Sequence, residues 1–104
     1  MDAEKFVTYL DEKAGFKFGN AATVNGRAEI KKAVAQFFGS INGLKHNIKQ
    51  VWTVEDSVII DGEVTYTRKN NTQLTIPFMN LFKMNGSLIK TYQIFIDVSP
   101  LFSA

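Results

Sequence analysis

The chain contains no cysteine, so it can build neither a disulfide framework nor a thiolate nucleophile or ligand. It has one histidine, His46, with no set of metal-ligating side chains near it in sequence, which is not a zinc or iron constellation; no metal and no cofactor are expected. No stretch approaches the ~20 apolar residues that a membrane-spanning helix needs. The opening MDAEKFVTYL lacks the basic segment and apolar run of a signal peptide, so the expected location is cytoplasmic, without a membrane partner. There is no G-x-S-x-G elbow and no glycine-rich phosphate loop, which argues against a serine-triad hydrolase and against nucleotide binding. An excess of one charge is lacking as well. Twelve basic and ten acidic residues leave +2, the lysines are scattered, and their closest pair, Lys31-Lys32, lies on a helical stretch, so no nucleic-acid partner is expected. Repeats, low-complexity tracts and linkers are missing too, and 104 residues suit one domain spanning 1–104.

What the chain does have is aromatic surface: nine phenylalanines, three tyrosines and one tryptophan, enough to fill a core or line an apolar cavity. Residues 2–13 read as a short helix with Asp2 as N-cap and Phe6, Val7 and Leu10 as its stripe, ended by Gly15. FKF at 16–18 reads as a short strand. A second helix starts at Asn25 or Gly26 and carries Glu29 in its first turn. Ile30, Val34, Phe37, Phe38 and Ile41 give it one wide apolar face, and Asn42-Gly43 ends it.

From residue 44 the period becomes two. Strict alternation puts Leu44, His46, Ile48, Gln50, Trp52 and Val54 on one side of a long strand. SVIIDGEVTYTRK follows as a strand kinked or bulged at Gly62, then a turn at Asn70-Asn71. TQLTIPFMNLFKM is interrupted by Pro77, which implies a bulge or an unpaired position. Asn85-Gly86 is a hairpin signal, and SLIKTYQIFIDV is the last strand. Helices first and four long antiparallel strands after them make an α+β fold: helices packed on one face of a curved sheet, a cone able to hold a pocket.

The segments FKFGN, VNGRAEIKKAVAQFFGSINGLKHNIKQVW, GEVTYTR and TIPFMNLFKMNGSLIKTYQIFIDVSPLF, in this order, resemble the SnoaL-like domain, the polyketide-cyclase and ketosteroid-isomerase-like branch of the nuclear transport factor two-like superfamily. The resemblance runs from Phe16 to Phe102. It implies a cone-shaped α+β barrel with an apolar pocket, an apolar small-molecule partner, frequent homodimerisation, and in the enzymes a pocket carboxylate that moves protons. It also exposes a departure: the long first helix usual before the segment matching residues 2–13 is absent or shortened here. In ketosteroid isomerases that helix carries an oxyanion-hole tyrosine, and Tyr9, on the following helix, does not replace it.

Asp97 matches the family's aspartate near the end of the last strand. Facing a pocket with Phe95, it would have a raised pKa and serve as general acid or base; alternatively it caps the turn before Pro100. His46 paired with Asp97 would make an acid–base unit, or be a packed histidine with one hydrogen bond. Trp52, Phe78 and Phe82 line the cone or belong to its core, and Asn80 between the last two can give one oriented polar contact. Tyr66 and Tyr92 can do the same through their hydroxyls, or sit at a dimer face. Three readings follow: an isomerase- or cyclase-type enzyme on an apolar carbonyl compound; a non-catalytic binding module; and a homodimeric interaction domain using an outer sheet face with Val51, Val58, Ile60, Val64 and Tyr66.

Overall fold

Four long strands carry the fold in the computed structural model, which describes residues 1–102. They are β3 (Gly43–Val54), β4 (Ser57–Thr67), β5 (Gln73–Asn85) and β6 (Leu88–Phe95), each antiparallel to the next. Two of their three turns place a residue that tolerates positive φ where one is needed. Asn71 and Gly86 take positive φ (68° and 63°), and Glu55 does so (55°) in the turn between β3 and β4.

The N-terminal third departs from expectation. The helix expected over 2–13 is only α1 (Ala3–Val7), capped by Asp2, whose carboxylate accepts from the backbone N–H groups of Glu4 and Lys5. The chain then becomes β1 (Leu10–Phe18), which absorbs FKF and runs through Gly15. Asp11, Glu12 and Lys13 suit a helix locally, but β1 pairs with β6 on either side of them, at Leu10 and from Gly15 onward, and that pairing overrides the preference. The β1–β6 pair is parallel, with an irregularity between Leu10 and Gly15. Arg27 satisfies the Leu10 carbonyl beside that irregularity through Nε at 3.0 Å. A two-residue β2 (Val24–Asn25) pairs with β1 and leads into α2 (Arg27–Gly39), with Gly26 as N-cap at φ 93°. The sheet order is β2-β1-β6-β5-β4-β3.

Residues directly opposite in antiparallel register share a face. The row Leu44–Tyr66–Leu74 and the pairs His46–Val64, Gly62–Phe78 and Phe82–Tyr92 therefore lie on the concave side, under the helices. Two core clusters fill that side. One joins α1, β1 and α2 through Val7, Leu10, Ala14, Phe16, Ile30 and Val34. The other joins Ile41, Val64, Tyr66, Phe78 and Leu101. Fully burying an aliphatic side chain such as Ile30 stabilises the fold by about 1.5–3 kcal/mol. Arg68 fixes the closing segment, Nε to the Leu101 carbonyl at 2.9 Å and Nη2 to that of Pro100 at 3.0 Å.

The expected kink at Gly62 proves to be a bulge in its partner. β4 runs unbroken, and the register between β3 and β4 shifts between Ile48 and Gln50, around Lys49. This extra residue reverses the alternation of β3. Leu44, His46 and Ile48 face inward, whereas Gln50, Trp52 and Val54 face outward with Asp61, Ile59 and Ser57. Pro77 lies where β6 has not begun to pair with β5, since that pairing runs from Met79, so the missing N–H breaks no ladder there. The outer face expected to carry Val51, Val58, Ile60, Val64 and Tyr66 does not: Val64 and Tyr66 are buried in the concave core, and the register puts Val51, Val58 and Ile60 on the same side. No helix among the described residues is long and apolar enough to cross a membrane.

Candidate functional site

Between α2 and the concave sheet lies a cavity of about 270 Å³. Its helical wall is Ala33, Val34, Phe37 and Phe38 of α2, with Phe6 of α1 beside them. Its sheet wall comes from Phe16 and Phe18 of β1, Tyr92 and Ile94 of β6, and Leu44, His46 and Tyr66 of the β3–β4 hairpin. The aromatic rings hold one another in place. Phe6 stacks on Tyr92 with centroids 5.2 Å apart, Phe16 meets Tyr92 edge-on at 5.3 Å, and Phe37 meets Tyr66 edge-on at 5.7 Å. Ala33, and Ala21 and Ala22 in the loop after β1, keep space open where larger side chains would close it.

The polar side-chain groups in this wall are the His46 imidazole and the hydroxyls of Tyr66 and Tyr92. His46 stands at the rim, part of its surface in solvent, its ring edge-on to Phe78 at 5.4 Å. Desolvation lowers its pKa below the ordinary 6.5, so the ring is neutral at pH 7. Burial pushes both tyrosines up to about 12. They keep their protons throughout the physiological range.

The expected acid–base pair does not form. β6 ends at Phe95, and Asp97 lies beyond it, exposed and outside the cavity wall. Its carboxylate accepts from the Ser99 backbone N–H at 3.0 Å, at the start of a short 3-10 turn (Ser99–Phe102). Hydrogen bonds from the Ser99 side chain and backbone lower its pKa, the reverse of the shift a pocket base requires. The expectation that Asp97 and Phe95 face a pocket together fails for Phe95 as well. Phe95 pairs with Met79 on the convex face and is 51% exposed.

The other expected contacts divide. Trp52 is on the convex face, 38% exposed, because of the Lys49 bulge. Phe78 and Phe82 face inward but stand behind the wall, against His46 and against Tyr92 (4.4 Å between centroids) respectively. Asn80 is 7% exposed and lies between Ile60 and Ile94; its Oδ1 is buried without a hydrogen-bond partner among the described residues. Of the residues that sequence reasoning singled out for the site, His46 is in the cavity wall, as are Tyr66 and Tyr92, which were read either as polar contacts or as part of a dimer face. The phenylalanines of α2 and β1 were read as core or strand, since a ring bordering a void and a ring inside a packed core have the same pattern.

The SnoaL-like domain family matches residues 1–92 of this chain. Solved structures repeat the fold. A protein with a ketosteroid isomerase-like fold from Catenulispora acidiphila DSM 44928, in complex with trimethylamine, superposes with a TM-score of 0.87 at 20% identity, over 95% of this chain and 78% of that one. A candidate SnoaL-like polyketide cyclase from Jannaschia sp. CCS1 gives 0.84 at 14% identity, over 98% and 76%. TerC co-crystallised with polyporic acid gives 0.84 at 18% identity, over 96% and 82%. No curated protein matches the sequence. At these identities the structural likeness speaks for the fold, and the match over residues 1–92 speaks for descent: the chain belongs to the SnoaL-like domain family.

Proposed function

We propose that this domain binds a small, flat, apolar ring compound in the cavity beneath α2. The observation that carries the reading is the wall itself: about 270 Å³ surrounded by aromatic and aliphatic side chains, with three polar groups and no carboxylate. Sites for drug-sized ligands run from about 300 to 1,000 Å³, so a compound of about two rings is the appropriate size. TerC, which has this fold, has been co-crystallised with a small organic molecule, polyporic acid.

If the family's proton chemistry on a carbonyl compound takes place here, His46 is the group to carry it. Its neutral imidazole borders the cavity and can accept a proton near neutral pH. Asp97 would then be a turn cap. Asp97→Asn is expected to leave tetralin affinity, measured by calorimetric titration, within about twofold of the parent, because no cavity contact is lost. A larger loss would restore Asp97 to the site.

A second reading concerns the convex face. Trp52, Ile59 and Leu81 form one row across the sheet, and Met79 and Phe95 the next, with Met79 40% exposed. A contiguous apolar patch of this kind favours association with a second copy. Light scattering over a concentration series is expected to give a dimer, and Phe95→Glu to give a monomer; a parent chain that stays monomeric refutes the dimer.

A further inference from the structure

We propose that the cavity takes a ring compound bearing a carboxylate, with the ring inside and the carboxylate at the rim on His46, which gains a proton as the ligand binds. This names the ligand class of the cavity and rests on its reading as a small-molecule site. The wall divides by chemistry. Everything that α1, β1 and α2 give to it is aromatic or aliphatic, which suits a ring. Among the described residues, His46 is the one group in the wall that can become a cation, and no carboxylate joins it there. It stands on the inward side of β3, opposite Val64, with its ring edge-on to Phe78. Its place at the rim decides which end of a ligand it meets. A carboxylate drawn deep among the aromatic rings would lose its hydration. One at the rim keeps water on its outer side and gains an imidazolium donor. An ammonium group there would find no anion in the wall.

The charged groups around His46 face elsewhere. Lys45 and Glu63 lie on the convex side of the β3–β4 pair, and Glu63 meets Lys49 at 3.5 Å. Lys17 of β1, beside Gln93, and Lys83 of β5 share that side. On α2, Arg27 bonds the Leu10 carbonyl, Glu29 pairs with Lys32, and Lys31 pairs with Glu4. Tyr66 and Tyr92 keep their protons up to about 12. Without a ligand, desolvation holds the His46 pKa below 6.5. A carboxylate beside the ring reverses that shift, because an opposite charge favours the protonated form. Between the two pKa values each binding event takes up one proton. Affinity for the carboxylate therefore rises as pH falls through that interval, by at most about tenfold per pH unit, and levels off below the pKa of the free protein. The ligand's own carboxyl group stays ionised above about pH 5.

The test uses three probes on one ring frame: tetralin, tetralin carboxamide and tetralin carboxylate. Each is titrated by calorimetry into the intact chain and into His46→Gln, at pH 8 and at pH 5.5. In the intact chain, affinity for the carboxylate is expected to rise about tenfold at the lower pH, the worth of one charge-assisted hydrogen bond, while the two neutral probes change by less than about twofold. His46→Gln should remove the rise. Proton NMR reads the same event directly, because the chain has a single histidine and its imidazole signal needs no assignment. Saturating carboxylate should move the His46 titration up by about one pH unit, and the carboxamide should leave it in place. An unmoved titration, an equal carboxylate affinity at both pH values, or a rise that survives in His46→Gln overturns the inference. Binding of tetralin without binding of the carboxylate at either pH also overturns it, and leaves the cavity reading intact. Binding of no probe overturns both. The NMR measurement on the intact chain decides the matter even if His46→Gln fails to fold.

Discussion

Gly62→Ala is expected to destabilise the domain by about 3 kcal/mol, the upper end of the usual cost of overpacking. A Cβ there would stand 2.4 Å from the Asn47 carbonyl oxygen and 3.2 Å from the Ile48 Cα, both backbone atoms of the strand that bulges next to it. Neither is a flexible side-chain end that can swing away, and the Phe78 ring edge at 3.1 Å closes the third direction. Relief requires β3 to move off β4 where the bulge sets the alternation of everything beyond it. Gly39→Ala is the control. Nothing lies within 4 Å of the added carbon, and the site is the last residue of α2. Urea denaturation should show a large drop in midpoint for Gly62→Ala and little change for Gly39→Ala. Equal midpoints would mean that the close approach of β3 and β4 at Gly62 is not a feature of the fold.

Ala33→Phe is expected to weaken tetralin binding by a factor on the order of 100, equivalent to about 2.8 kcal/mol, while stability is held or rises. Ala33 lies on the second turn of α2 and opens into the cavity. A phenyl ring there would occupy the space proposed for the ligand and pack against the aromatic wall. Filling an existing void commonly adds about 0.5–2 kcal/mol of stability. The paired outcome separates a ligand site from a packing defect. Lost binding with a raised melting temperature supports the site. Intact binding shows that tetralin lodges elsewhere, and a lowered melting temperature shows that the space was not free.

Much of the sheet was legible because its signals are local. Alternation and turn residues located β3 to β6, and Asn71 and Gly86 adopt the positive φ that their residue types tolerate. The N-terminal strand was not legible. Its partner is β6, at the other end of the chain, and Asp11-Glu12-Lys13 carries no strand preference of its own. The site was legible only in part, for one geometric reason. A period-two reading holds until an extra residue intervenes, and the Lys49 bulge sends Trp52 outward while His46 stays inward. Asp97 failed differently: the strand ended two residues before it, and the short-range pull of the Ser99 N–H decided its orientation. The cavity wall, built from helix, loop and five strands scattered along the chain, has no linear signature at all.

The parallel seam between β1 and β6 bears on how this domain acquires its shape. Phe16 lies beside Tyr92, and Phe18 beside Ile94, so the seam cannot close until nearly the whole chain is available. Hairpins β3–β4, β4–β5 and β5–β6 can form from neighbouring sequence, whereas this seam must first meet the entropy of closing a very long loop. Such high contact order slows folding. During synthesis on a ribosome the curved hairpins would wait with their aromatic inner face uncovered, and the last strand to emerge would be the one that seals it.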